Sequence, residues 1–149
     1  MVQRTPQSLA ELYETDETAW LDVMAVLVAH RQFDELDTVN LAEYLDSMAR
    51  RDRREVKSRL IVLMLHLLKW DSQPTQRGES WVHSILEQKR ELRELLESGT
   101  LHNYAESILL DVFDDARKEA MIETQLPRNS FPATCNFTVE ILLADWTST

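Results

Sequence analysis

Apolar residues recur along the chain with the 3.6-residue period of helices that bury one face. Ser8 with Glu11 has the capping-box spacing of a helix start. Thr15 or Asp16 can begin a second helix, which ends near Arg31. The second helix has one apolar face, made of Trp20, Met24, Leu27 and Val28. The pattern therefore predicts that the chain begins with a helical region.

Two further helices are predicted in the middle of the chain. The first, capped by Asp37, buries one apolar stripe made of Leu41, Tyr44, Leu45 and Met48. The capping-box spacing of Asp52 and Glu55 then predicts a break near residue 51. From Leu60 to Trp70 the sequence is apolar nearly all round, which is typical of a helix surrounded by others. We therefore expect residues 60–70 at the centre of the fold.

The C-terminal half predicts two long helices and a short one. Residues 71–79 form a loop, after which Ser80 caps a helix that runs to Ser98 with Gly99 as its stop. Thr100 caps a last long helix, which ends at Leu126-Pro127, and a short helix follows Thr138. The residues predicted to be buried by the two long helices are Trp81, Ile85, Leu92 and Leu96 in the first, and Leu101, Ala105, Ile108, Val112 and Ala116 in the second.

These elements predict an all-α fold. Helices joined by short loops tend to lie antiparallel beside their neighbours, so we expect a helical bundle of four main helices plus short terminal helices. Two glycines and four prolines supply few of the tight turns that an antiparallel β protein needs. We see no internal repeat and expect residues 1–149 to form a single domain.

Charge and cysteine content narrow the functional classes. A net charge of −10 disfavours binding to nucleic acid or to an anionic membrane. The single cysteine, Cys135, cannot form an intramolecular disulfide. Residues 1–9 have no apolar run typical of a signal peptide, and the longest apolar stretch, Leu60 to Leu68, is about half of the ~20 residues that a membrane span needs. We therefore expect a cytoplasmic protein with no membrane or nucleic-acid partner.

Several short strings, taken in their order and spacing, are similar to those of a known family. They are Leu12-Tyr13 with Asp16 and Trp20, Arg31 to Asp37, Asn40 to Glu43, His66 to Trp70, Gln73-Pro74, Ser80-Trp81, and Phe131-Pro132 with Cys135. Over about residues 9–146 the chain resembles the bacterial family catalogued as domain of unknown function 29. The resemblance implies a helical-bundle protein of a family that is abundant in cyanobacteria and has no assigned activity. The chain departs from the family pattern at Tyr44, where a second glutamate is usual, and at Asn136, where a proline often follows the cysteine.

One constellation could support catalysis or ligand binding in the bundle core. It comprises His66, Lys69, Trp70, Trp81 and Gln88. His66 and Trp70 share a helix face, and the following loop is expected to bring Trp81 back against Trp70. A histidine near an apolar pocket can act as a general base. The competing interpretation, which we favour, is structural: His66 hydrogen-bonds to Gln88 or to a backbone carbonyl, and the two tryptophans pack together.

Metal and cofactor signals are weak. None of the four histidines has a glutamate or aspartate three residues before it, as bundle di-metal sites require. Glu79, His83 and Glu87 are spaced one turn apart, but surface helices often carry such a series by chance. Two glycines could hardly build a phosphate-binding loop. We therefore expect no metal and no cofactor.

A basic segment offers a binding surface. Residues 50–59 contain six basic and two acidic residues, a local charge of +4 that leaves −14 for the remainder. Arg50, Arg53, Arg54 and Lys57 fall on one helical face and form a candidate interaction face. The competing interpretation, which we favour, is a solvated face with local pairs, such as Asp46 with Arg50 and Glu55 with Arg59.

The sequence favours a non-catalytic protein–protein interaction module, either a homodimer or a binder of an unidentified protein. Its alternative is an enzyme or small-ligand binder that uses the bundle core around His66, Lys69, Trp70 and Trp81. An interaction module is expected to have a filled core near His66. An enzyme or small-ligand binder is expected to have a polar cavity there that is open to solvent.

Overall fold

The computed structural model describes residues 8–148, which contain six α-helices and no strand. The helices are α1 (Leu9–Thr15), α2 (Glu17–Ala29), α3 (Thr38–Ser72), α4 (Glu79–Leu95), α5 (Gly99–Thr124) and α6 (Val139–Leu143). Short 3₁₀ helices lie at Phe33–Glu35, Pro74–Gln76 and Arg128–Ser130. The predicted all-α fold class is confirmed. Most of the segment in which no signal peptide is predicted, residues 1–7, lies outside the described residues.

Helix α3 is a single helix of 35 residues, so the predicted break near residue 51 is wrong. Residues 38–72 contain neither glycine nor proline and are rich in leucine, arginine and other good helix formers. The spacing of Asp52 and Glu55 marks a helix start only where the preceding backbone is not helical. Inside a helix that already continues, the same two residues are ordinary surface positions.

Side-chain caps define most helix starts. Ser8, Asp16 and Thr138 each accept a hydrogen bond from the backbone N–H three residues later, at 3.1 to 3.2 Å. Ser8 and Thr138 are the predicted starts, and Asp16 is one of the two, with Thr15, that the sequence left open for α2. Three boundaries differ. Helix α4 begins at Glu79, after Gly78, and has no side-chain cap, so the predicted cap at Ser80 is wrong. Ser98, and not Thr100, caps α5, so Gly99 begins that helix instead of ending α4. Both candidates carry hydroxyl groups, and the sequence does not distinguish them.

The chain forms two compact units, Met1–Arg50 and Arg51–Thr149, and helix α3 contributes to both. The single domain expected over residues 1–149 stays a prediction. No helix in the described range combines the length and the apolar character that crossing a membrane requires.

The N-terminal unit is organised around Trp20, which is fully buried. Its ring packs edge-on against Tyr13, with the ring centroids 4.7 Å apart, and against Tyr44 at 6.0 Å. The indole Nε1 donates a hydrogen bond to Asp37 Oδ2 at 3.1 Å, and the Asn40 side chain donates to the same oxygen at 2.7 Å. Asp37 therefore joins the end of the loop between α2 and α3 to the aromatic centre.

The C-terminal unit has a continuous apolar core formed by the second half of α3 with α4, α5 and α6. Residues 60–70 lie at its centre as predicted, with Leu60, Leu63 and Met64 fully buried. The predicted burial is also confirmed for Ile85, Leu92, Leu96, Ala105, Val112 and Ala116. Trp81 is only half-buried, because its ring lies at the edge of this core.

Hydrogen bonds set the ionisation of Asp37. The Asn40 side chain and then the Trp20 indole lower the pKa of this carboxyl below its usual value of 3.8, although partial burial opposes them. Because the pKa is lower in the folded protein than in the unfolded chain, the ionised carboxylate stabilises the fold above pH ~3.8. That contribution is lost as the pH falls through the lower folded-state pKa.

Replacing Asp37 with alanine should destabilise the protein by about 1 to 3 kcal/mol, since the buried Trp20 N–H loses its acceptor. Urea unfolding followed by far-UV circular dichroism measures the loss. Asp34→Ala, a change at an exposed position in the preceding 3₁₀ helix, should alter stability by less than about 0.5 kcal/mol. Equal losses in both variants would contradict the assigned role of Asp37.

Candidate functional site

His66 is hydrogen-bonded within its own helix. Its Nδ1 lies 2.8 Å from the backbone carbonyl oxygen of Val62, one turn earlier in α3. Because a carbonyl can only accept, Nδ1 carries the proton and donates it. The sequence left two partners open for His66, Gln88 or a backbone carbonyl. In the structure the hydrogen bond is made to the backbone carbonyl. The imidazole is half-buried beside the core.

Lys69 links three helices. Its Nζ lies 2.9 Å from Glu123 Oε2 on α5 and 4.8 Å from the centroid of the Trp81 ring on α4. The lysine side chain is only 15% exposed, so the ion pair and the cation–π contact are both partly shielded from water. These contacts indicate that the Lys69 ammonium has a structural role.

Trp70 pairs with a different aromatic residue from the one expected. Its ring packs edge-on against Trp146, with centroids 5.0 Å apart. The Arg77 guanidinium carbon lies 4.8 Å from the Trp70 ring centroid, and Arg77 Nε donates to the Trp70 carbonyl at 2.8 Å. Within residues 8–148 the structure shows no ring contact between Trp70 and Trp81, so the expected pair is not formed.

Gln88 contributes to a surface cleft. Its Oε1 accepts a hydrogen bond of 3.2 Å from Arg59, which also pairs with Glu55 at 3.0 Å. The cleft has a volume of about 400 Å³ and is lined by Arg54, Glu55, Ser58, Arg59, Val62 and Gln88. Of the candidate core residues only Gln88 lines it. The five residues thus divide among four separate sets of contacts, and only Lys69 and Trp81 meet.

The basic segment divides into paired and unpaired cations. Arg50 lies 3.0 Å from Asp46, and Arg59 lies at the same distance from Glu55, which confirms the two predicted local pairs. Arg53 is half-buried, with its guanidinium carbon 5.9 Å from the centroid of the Tyr104 ring. Of the four predicted face residues, Arg53 therefore turns towards the protein, whereas Arg50, Arg54 and Lys57 are exposed.

Three exposed cations remain available to a partner. Arg51, Arg54 and Lys57 are exposed, and the structure shows no ion pair for them within the part of the chain that it describes. Arg51 was not among the predicted face residues. Its exposure becomes evident only once α3 is known to continue through residue 51.

Sequence reasoning missed the most deeply buried lysine. Lys89 on α4 is only 3% exposed, and its Nζ donates to the carbonyl oxygens of Leu142 at 2.8 Å, Ala144 at 2.9 Å and Ile141 at 3.4 Å. These carbonyls lie at the C-terminal end of α6, where unpaired acceptors and the helix dipole favour a cation. Arg93, one turn further along α4, donates to the Leu143 carbonyl at 2.7 Å.

Burial makes the Lys89 ammonium easier to deprotonate. Desolvation, and then repulsion by Arg93, lower the pKa of Lys89 from 10.5 to about 8, while Asp145 opposes the shift. Because the folded-state pKa is the lower one, the buried charge costs stability at neutral pH. From about pH 8 to 10.5 this group alone makes the fold more stable as the pH rises.

Arg117 is a second buried cation that the sequence did not reveal. It is 6% exposed and donates to the carbonyl oxygens of Pro132 at 3.1 Å and Ala133 at 2.8 Å. Its other guanidinium nitrogen lies 3.1 Å from Asp114. Arg117 thereby fixes the irregular segment between α5 and α6.

The N-terminal unit carries a small apolar groove. Its volume is about 260 Å³, and it is lined by Asp22, Val23, Val26 and Leu27 of α2. Val26 is 54% exposed. Helix α2 therefore presents apolar side chains to solvent in addition to those that it buries at Trp20 and Met24.

A family model described as "Domain of unknown function DUF29" matches residues 12–147 of the 149-residue chain. This match covers nearly the whole sequence and confirms the resemblance seen in its short strings. No curated protein and no solved structure matches the chain.

The aromatic contacts predict one coupled pair. A double-mutant cycle with Trp70→Leu and Trp146→Leu should give a coupling free energy of about 0.5 to 1.5 kcal/mol in urea unfolding, since the two rings pack edge-on. The matched cycle with Trp70→Leu and Trp81→Leu should give less than about 0.5 kcal/mol. A larger coupling free energy between Trp70 and Trp81 than between Trp70 and Trp146 would instead support the pairing expected from the sequence.

Lys89→Met should destabilise the C-terminal unit by about 1 to 3 kcal/mol, because it leaves carbonyls at the end of α6 without their donor. Hydrogen exchange of residues 139–146 should accelerate with it, as α6 separates from α4. Arg90→Met is the control, because Arg90 is the next residue and 65% exposed, and it should change stability by no more than about 0.5 kcal/mol. Unchanged exchange at α6 in Lys89→Met would show that the ammonium does not hold this helix.

Proposed function

We propose that this chain, which belongs to the DUF29 family, is a non-catalytic helical module that binds a protein surface, in its simplest form a second copy of itself. The observation that carries the proposal is apolar exposure in the N-terminal unit. Large apolar side chains there are 48% to 78% exposed: Val26, Val28, Phe33, Val39 and Leu45. Leaving such area in water costs roughly 25 cal/mol per Å², which a partner surface would recover.

The exposed apolar side chains are concentrated in this unit. Residues 8–50 contain five of them, whereas the much longer stretch of residues 51–148 contains four. Leu45 was predicted to be buried, and Val28 was placed on the buried face of α2; both are about half exposed or more. The sequence pattern predicts that these two side chains are buried, but both are exposed in this chain. This difference favours a contact with another molecule that would bury them.

Charge favours a second copy as the partner. Residues 1–50 contain ten acidic and three basic residues, so this unit has a net charge of −7. The exposed cations of α3, Arg51, Arg54 and Lys57, have the opposite sign. Acidic and apolar groups of one copy can therefore meet the cations of another, and a two-fold dimer would make each contact twice. A cytoplasmic location stays part of the same proposal, and so does the absence of a nucleic-acid partner, which rests on the overall acidity.

The enzyme or ligand-binding alternative needs several polar groups to converge on one reacting atom. His66 instead donates to Val62, and Trp70 packs on Trp146. Lys69 and Trp81 do meet, but Glu123 already neutralises the ammonium. These contacts support the interaction module over the alternative.

Reversing Arg51, Arg54 and Lys57 to glutamate should convert a dimer to a monomer, because it removes the charges that meet the acidic unit of the other copy. Arg53 is left unchanged, since it packs over Tyr104. Light scattering after size exclusion, at low and high ionic strength, measures the change. The wild-type dimer should weaken as salt is added. Reversal of Arg90, Lys118 and Arg128 alters the net charge equally and should leave the dimer intact.

The exposed apolar side chains of the N-terminal unit have their own matched variants. Val39→Asp with Leu45→Asp should abolish the dimer, whereas Leu110→Asp with Ile122→Asp, at positions 70% and 75% exposed in the other unit, should not. A wild type that is monomeric at every salt concentration rules out self-association. A dimer that neither variant set affects places its interface elsewhere. If pull-downs with the charge-reversed chain recover the same proteins as the wild type, the basic segment is a solvated face.

A further inference from the structure

A histidine and two glutamates from two helices lie together on the C-terminal unit. His102 and Glu106 are one turn apart on α5, and Glu140 lies on α6. One ligand atom from each of the three side chains lies within 4.8 Å of the others, and His102 Nδ1 is 3.7 Å from Glu106 Oε1. Within residues 8–148 no other set of three or more such side chains comes this close together.

We infer that His102, Glu106 and Glu140 form a binding site for a divalent transition metal of the Zn²⁺ type. Imidazole nitrogen and carboxylate oxygen are ligands that zinc accepts, and three protein ligands leave a fourth position for water or another group. Mg²⁺ and Ca²⁺ favour all-oxygen sets, so the imidazole selects against them. The bound ion would also neutralise the two carboxylates that the fold brings together.

The fold, and not the carboxylates, brings α6 to α5. Val139 and Leu142 of α6 are buried in the core, and Lys89 and Arg93 hold the C-terminal carbonyls of α6 from α4. Glu140 is therefore presented beside His102 by contacts that do not involve its own side chain. Two anionic groups held close by other contacts form a preorganised cation site.

The three side chains can close around an ion without moving the backbone. Ligand atoms around tetrahedral zinc stand ~3.3 Å apart, given bond lengths of about 2.0 to 2.1 Å. His102 Nδ1 and Glu106 Oε1, 3.7 Å apart, exceed that separation by about 0.4 Å, and no two ligand atoms of the three side chains exceed it by more than about 1.5 Å. The His102 and Glu106 side chains are 33% and 51% exposed, which leaves their rotamers free to adjust.

The site is not evident in the sequence because it lacks the Glu-x-x-His order of bundle di-metal sites. His102 and Glu106 have the reversed order and a four-residue spacing, which puts both on one helix face. The third ligand follows 34 residues after Glu106, across an irregular segment that no helix period can bridge. The proposed ion would tie α6 to α5, on a different pair of helices from the contacts of Lys89.

Isothermal titration of the full chain with Zn²⁺ should show one site per chain, and Mg²⁺ at the same concentration should give no comparable heat. Zn²⁺ should also raise the melting temperature, since it binds the folded state. His102→Gln and Glu140→Gln should each weaken zinc binding by more than about tenfold, because even the loss of a supporting residue around a metal typically costs 10 to 100-fold. Circular dichroism should show both variants folded, as both positions are at the surface.

Two control variants make the result specific. His83→Gln removes the imidazole of another histidine–glutamate pair, 3.9 Å from Glu87 on α4, and should bind zinc as the wild type does. Cys135→Ser should also retain binding, although a free thiol is a zinc ligand. The inference is overturned if the wild type does not bind Zn²⁺, if His102→Gln and Glu140→Gln bind it unchanged, or if binding is lost in either control.

Discussion

The buried ammonium of Lys89 is the interaction on which the C-terminal part of the chain depends. It donates to carbonyls of α6 and of the residue that follows that helix, and so fixes a helix of five residues that could not persist alone. Through α6 it also places Leu142 in the core and Glu140 beside His102. Trp146, four residues beyond Leu142, then packs on Trp70.

A buried charge is an expensive way to hold a helix, as the lowered pKa of Lys89 shows. The cost is offset by the hydrogen bonds that the ammonium donates to the backbone carbonyls of Ile141, Leu142 and Ala144. Arg117 repeats the arrangement at Pro132 and Ala133, just before α6. The segment after α5 buries Phe131, Val139 and Leu142 in the core, and cations from α4 and α5 add hydrogen bonds to its backbone carbonyls.

The periodic part of the fold was predictable because it depends on local rules. Apolar residues all round the stretch 60–70 required a helix surrounded by others, and this stretch is the centre of the C-terminal unit. The predicted break near residue 51 is wrong because capping-box spacing marks a helix start only where the preceding backbone is not helical, and here it is helical. Lys89 could not be found in this way, since it occupies an ordinary position in a charged helix and its acceptors lie more than 50 residues away.

The same limit explains why the candidate core residues do not form one site in the structure. Helical spacing correctly put His66 and Trp70 on one helix, but it could not show that Trp70 would be covered from the C-terminus by Trp146. His102 and Glu106 are likewise a local pair, and only the docking of α6 adds Glu140. Docking of α6 and binding of a metal at this site are therefore linked, and each strengthens the other by the same factor. A change at Lys89, which bonds the C-terminal end of α6, would then reach the metal site without touching any of its ligands.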